Sequence, residues 1–165
     1  MLNLLRQGYR AMKLLVAIDF SELAEQVIAE AEKLAKVLQA KVFLLHVVPP
    51  PSPIIDVPPY VEALIPPEDV FKTTSLSSPF YIPESAKLMT IAQRLQESGI
   101  DTTVIAAQND EVSAIIDESK KFGADWIMLG SHRHGALFHL IVGSVSEGVI
   151  RRATCPVIIV PSIKH

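Results

Sequence analysis

Trp126-Ile-Met-Leu-Gly-Ser-His-Arg-His-Gly-Ala-Leu-Phe-His-Leu-Ile-Val-Gly-Ser-Val-Ser-Glu-Gly-Val149 is the stretch that decides the fold. Its first four residues are an apolar run that stops at Gly130. A polar, glycine-containing loop follows, and Gly143-Ser144 then opens a segment that reads as a helix. Strand, loop and helix start in this order belong to an α/β sheet. A strand ending at a glycine leaves backbone N–H groups unpaired at the sheet edge. A helix that begins at Ser144 adds further N–H groups and the positive end of its dipole. The chemistry this predicts is an anion site, most naturally for phosphate.

Upstream, Lys13 to Ile18 is a short, continuously apolar run ending in Asp19-Phe20-Ser21, as expected of a strand buried on both faces and followed by a turn and a helix start. Ser21 or Asp19 is expected to satisfy a free N–H group there. From Glu22 to Leu38, Val27, Ile28, Ala31, Leu34, Ala35 and Leu38 keep the helical period, with Glu30, Glu32, Lys33 and Lys36 on the other side. Lys41 to Val48 is a second apolar strand ended by Pro49-Pro50-Pro51. Strand, helix, strand in this span is a βαβ unit with parallel strands and a right-handed crossover.

Residues 49–83 then hold 10 of the 12 prolines, interleaved with large apolar side chains such as Ile54, Tyr60, Leu64 and Phe80. Proline fixes φ and removes donors, so only a short helical turn between Pro59 and Ile65 is expected. The apolar content suggests an insertion that packs on the open end of a cleft or on a partner. A surface insertion without function is the alternative. The pattern resumes with a helix from Pro83 to Ser98, a strand from Asp101 to Ala107, and a helix from Glu111 to Phe122 with Gly123 as its cap. A strand from Ala124 to Gly130, a helix from Ser144 to Arg152 and a strand from Val157 to Val160 complete it. Five strands alternating with four helices predict a doubly wound α/β sheet, with ligands beyond the carboxyl ends of the strands.

At 165 residues the chain suits one domain able to bury about two-thirds of its unfolded surface. A net charge of -3 argues against general nucleic-acid binding. The single cysteine, Cys155, forms no internal disulfide and points to a reducing cytoplasm; it reads as a small core residue. Residues 1–11 read as a short extension, without the apolar run of about 7 to 15 residues that a signal peptide needs. No run is long enough to span a bilayer. Neither Gly-x-x-x-x-Gly-Lys-Ser/Thr nor Gly-x-Gly-x-x-Gly occurs. His132, His134 and His139 with His46 lack the carboxylates or cysteines of a metal cluster, and solvated or phosphate-adjacent histidines are the simpler reading.

The stretch Gly130-Ser131-His132-Arg133, nine residues, then Gly143-Ser144 resembles the nucleotide-binding signature of the universal stress protein family, Gly-x-x-Gly, nine residues, Gly-Ser or Gly-Thr. The opening Met12-Lys-Leu-Leu-Val-Ala-Ile-Asp-Phe-Ser21, the second strand Phe43-Leu-Leu-His-Val-Val48 and the closing Arg151-Arg-Ala-Thr-Cys-Pro-Val-Ile-Ile-Val-Pro161 extend the resemblance over nearly the whole chain. It implies a Rossmann-like sheet, of the adenine nucleotide alpha hydrolase type, in the order 3-2-1-4-5, over residues 12–165. It also implies a homodimer paired through residues 157–160 and an adenine nucleotide, ATP, ADP or AMP, with or without Mg2+. Ala17 and Val47 would then lie where backbone groups meet the adenine. Asp19, with Ser21 beside it, would face the ribose or a divalent ion. Gly130, Ser131, His132, Arg133, Gly143, Ser144, Val145 and Ser146 would surround the phosphates.

Arg133 departs from the signature, standing where its second glycine would be. A glycine there lets backbone approach a phosphate without a Cβ. Gly135 can take over the turn, and the Arg133 guanidinium can instead offer a charge-assisted bond. The resemblance implies a regulatory binder whose nucleotide state is read by an unknown protein partner. Two alternatives stay open: a slow ATP hydrolase built on Asp19 and a divalent ion, and an interaction protein that has lost nucleotide binding through Arg133.

Overall fold

A computed structural model describes residues 10–48, 81–131 and 144–162. The proline-rich segment, the turn expected between Pro59 and Ile65, and the loop carrying His132, Arg133, His134, Gly135, His139 and Gly143 lie outside the described residues. The elements in chain order are β1 (Lys13–Ile18), α1 (Ala24–Leu38), β2 (Lys41–Val48), α2 (Tyr81–Glu97), β3 (Thr102–Gln108), α3 (Glu111–Phe122), β4 (Trp126–Ser131), α4 (Ser144–Arg152) and β5 (Val157–Pro161). The five strands form one sheet in the order β3-β2-β1-β4-β5, and every pairing is parallel.

The continuous apolar runs become central strands because a parallel sheet is covered on both faces. Along β1, alternate residues enter two separate cores. Leu14, Val16 and Ile18 pack with α1 and α2 through Val27, Ile28, Ala31, Leu88 and Leu95. Leu15 and Ala17 point the other way, to α3 and α4 through Ile115, Ile116 and Val149. The helices therefore cover opposite faces on either side of β1, and the winding reverses between β1 and β4.

The bounds of β1, β2, α3 and α4 match the sequence pattern, and the other elements differ by one or two residues at one or both ends. Helix α1 starts at Ala24 and not at Glu22. Phe20 takes a left-handed backbone, φ 57°, and the Ala24 N–H bonds the Ser21 carbonyl three residues back, so a tight turn occupies the expected first turn. Leu23 is the N-cap and no side chain caps this helix. The expected cap from Ser21 or Asp19 is replaced by a smaller device, in which Asp19 Oδ1 accepts the Ser21 N–H at 3.0 Å. Helix α3 has the cap its sequence promises: Asp110 accepts the Ser113 N–H at 3.0 Å, and Gly123 closes the other end at φ 62°.

Strand β4 begins at Trp126 because the Ala124 N–H still bonds the Ser119 carbonyl of the preceding helix. It continues one residue past Gly130, with Gly130 opposite Val160 and Ser131 opposite Pro161. The glycine thus stands inside the strand and does not end it.

Candidate functional site

The ladder between β1 and β4 stops at Ala17 opposite Leu129. Beyond that point β1 stays with β2, Ile18 lying opposite His46, while β4 stays with β5. The two central strands part at their carboxyl ends, and the parting opens a cleft where an open α/β sheet places its ligands.

Gly130 shapes one wall. A Cβ built there would lie 2.6 Å from Leu23 Cδ2, 3.0 Å from Leu23 Cγ and 3.2 Å from Val27 Cγ2. The glycine lets α1 close onto the strand end, and Leu23, Ala24 and Val27 of that helix line the cleft with it. The same economy brings the two helices of the opposite face together, since a Cβ on Gly148 of α4 would lie 2.7 Å from Val112 Cγ2 of α3. Arg152 then reaches across with both terminal nitrogens, each donating to Ser113 Oγ at 3.1 Å.

Helix α4 presents its N-terminus to the cleft through Ser144, Val145 and Ser146. The first N–H groups of a helix have no partner within it, so they and the dipole make this the electropositive end of the cleft. Ser146 is buried, 2% exposed, and its hydroxyl donates to the Gly130 carbonyl at 3.1 Å. That bond ties α4 to β4, so the hydroxyl is engaged within the protein and Ser146 offers a ligand its backbone.

Across the cleft, exposed Asp19 follows β1, held by its bond to the Ser21 N–H. The left-handed Phe20 after it is costly for a bulky residue. Its ring rests 4.5 Å, centroid to centroid, from that of buried His46, which in turn bonds the Ile18 carbonyl through Nδ1 at 2.9 Å. Packing against His46 thus holds the turn that aims Asp19.

The structure brings Ala17, Asp19, Val47, Gly130, Ser144, Val145 and Ser146 onto one cleft. Ser21 and Ser131 do not line it. Among the described residues the buried Ser21 hydroxyl has no hydrogen-bond partner, and Ser131, 2% exposed, belongs to the β4–β5 ladder, its carbonyl taking the Ser162 N–H at 3.3 Å. His132, Arg133 and Gly143 lie outside the described residues. Glu111 and Ile115 of α3, with Leu129 of β4, line the cleft although no sequence motif marks them. The signal was available: α3 follows β3, and all strand-to-helix connections of a parallel sheet open on the same edge.

Among the described residues no group of three or more His, Cys, Asp or Glu side chains is arranged to hold a metal, and no helix is long and apolar enough to cross a membrane. Cys155 packs at the margin of the second core. Burial, and secondarily the charge of Asp125, push its thiol pKa up, the opposite of an activated nucleophile.

A doubly wound sheet with an apolar cleft at its switch point, a carboxylate on one lip and a helix N-terminus on the other defines an open α/β protein with a candidate ligand cleft. The chain matches the universal stress protein family over residues 11–161 and belongs to it. It is 30% identical over 162 residues to universal stress protein YxiE of Bacillus subtilis, covering 90% of this chain and 97% of that one. Two solved structures share the fold. A universal stress protein in complex with cAMP has a TM-score of 0.62 at 19% identity, over 90% of this chain and 95% of the other. The universal stress protein from Archaeoglobus fulgidus in complex with dAMP has a TM-score of 0.57 at 21% identity, over 90% and 96%.

Proposed function

We propose that this universal stress protein is a regulatory binder of adenine nucleotides, ATP, ADP or AMP. The observation that carries the reading is that one cleft at the switch point gathers Asp19, the apolar surfaces of Ala17 and Val47, and the N-terminus of α4. The cAMP and dAMP complexes of structurally similar proteins support it.

The phosphates sit at Ser144, Val145 and Ser146, where N–H groups and the dipole favour an anion. Gly143 and the loop with His132 and Arg133 adjoin this end in sequence, and Arg133 adds a cation in place of a backbone approach. Asp19 accepts from the ribose hydroxyls, or holds Mg2+ when the nucleotide brings it. The base lies on Ala17 and Val47. Nucleotide occupancy biases the loop after β4 and the proline-rich insertion, a surface that a protein partner reads. The domain comprises residues 12–165, works in the cytoplasm, and pairs as a homodimer through the edge strand β5.

Calorimetric titration of the nucleotide-stripped chain with ATP, ADP and AMP, with and without Mg2+, tests the reading, with Ser144→Asp as the control. An acid at that helix start favours the helix while repelling phosphate, so the expected loss of roughly tenfold or more in affinity comes with an unchanged or raised melting temperature. No heat with any nucleotide at millimolar concentration overturns the proposal.

A further inference from the structure

We infer that Glu111 adds a side-chain contact by which this cleft distinguishes nucleobases, beside the backbone at Ala17 and Val47, its carboxylate accepting a hydrogen bond from the exocyclic amine of adenine; the inference rests on the nucleotide reading above. Glu111 is the first residue of α3, held in place by the Asp110 cap, and it lines the cleft together with Val47, Ala17 and Ile115. The side chain is exposed, and among the described residues its carboxylate has no hydrogen bond or ion pair. Glu118 of α3 and Glu147 of α4, by contrast, are ion-paired within their own helices, to Lys121 and Arg151.

The charge distribution orients a nucleotide. Phosphate is drawn to the N–H groups at the start of α4 and repelled by a carboxylate, so the base is the part that meets Glu111. The lining also includes the apolar Ala17, Val47, Ile115, Leu129 and Val145, which suit a flat ring. A carboxylate only accepts hydrogen bonds. Adenine presents an amine at its six-position, which donates; a 6-oxo purine presents a carbonyl oxygen at the same place, which leaves two acceptors facing each other. A site that bonds a substrate N–H rejects the analogue that lacks it.

The test is titration of ATP and ITP into the full-length, nucleotide-stripped wild type, Glu111→Ala and Glu111→Gln, with melting temperatures recorded for each. The wild type is expected to prefer ATP over ITP by roughly tenfold or more. Glu111→Ala brings the ratio near one, chiefly through weaker ATP binding. Glu111→Gln, whose amide both donates and accepts, recovers ITP binding. A wild type that binds ATP and ITP equally, or an Ala variant that binds ATP with an unchanged ratio, overturns the inference and leaves the nucleotide reading standing. A wild type that binds neither overturns both. If Glu111 acted only on the helix dipole, Glu111→Ala would lower the melting temperature and leave the ATP-to-ITP ratio unchanged, which also overturns the inference.

Discussion

At the scale of the residue, Gly130 has two possible explanations, and the structure adds the second to the one visible in the sequence. In the sequence it is the first glycine of a phosphate signature, where a Cβ would keep backbone from a ligand. In the fold it is also the position at which α1 touches β4, with Leu23 only 5% exposed and unable to move outward freely. Gly130→Ala is therefore expected to destabilise the apo protein by about 1–3 kcal/mol, the usual cost of overpacking a filled core. Urea denaturation without nucleotide measures it. In a double-mutant cycle, Leu23→Ala should recover much of that loss, since the cavity it leaves accepts the new methyl. An unchanged stability for the single variant would mean that the glycine serves the ligand alone.

At the scale of the element, the starts of α1 and α3, two of the three helices that border the cleft, are secured differently. Helix α1 has no side-chain cap, and its entry is set by the left-handed Phe20 packed on His46. Helix α3 is capped by Asp110, whose carboxyl is held below the usual aspartate range by hydrogen bonds, first from the Ser113 hydroxyl and then from its N–H, with Arg152 nearby. Because the folded pKa lies below the unfolded value near 3.8, the stabilisation is complete above that value and is lost as pH falls through the folded pKa. Melting temperatures recorded from pH 7 down to pH 2 should show wild type converging on Asp110→Ala at the acid end. Asp110→Asn keeps a cap without a charge and should lose this share of the pH dependence. Parallel curves for wild type and Asp110→Ala across the range would remove Asp110 from the acid response.

At the scale of the whole molecule, β5 closes one side of the sheet, with Val157, Ile158 and Ile159 only partly buried. An apolar edge strand invites pairing, and lysine is the residue that blunts such edges. The proposed homodimer predicts that Val157→Lys weakens association by at least about tenfold in sedimentation velocity while circular dichroism stays that of the folded protein. A wild type that is monomeric at every concentration would dismiss pairing through this edge. In the proposed dimer the partner strand completes the covering of both cores at this end of the sheet, because Ile158 adjoins the first and Val157 and Ile159 the second.

The sequence by itself determined the alternation of elements, the parallel sheet and the edge at which a ligand would sit. These follow from local periodicity, from apolar runs that only a doubly covered strand can bury, and from caps such as Asp110 and Gly123 whose chemistry acts within a few residues. Seven of the cleft residues were named from the sequence, Asp19, Gly130 and Ser144 among them from their places near a strand end or a helix start, and Ala17 and Val47 through the family resemblance. Tertiary structure decided the rest. Ser21 and Ser131 fell away from the cleft because the direction of a side chain after a strand depends on the turn it enters, here the left-handed Phe20, and on the ladder it stays in. Gly130 acquired its second role only when α1, distant from β4 in sequence, closed over the strand end. No local pattern records such a meeting, since what each residue faces is supplied by another part of the chain.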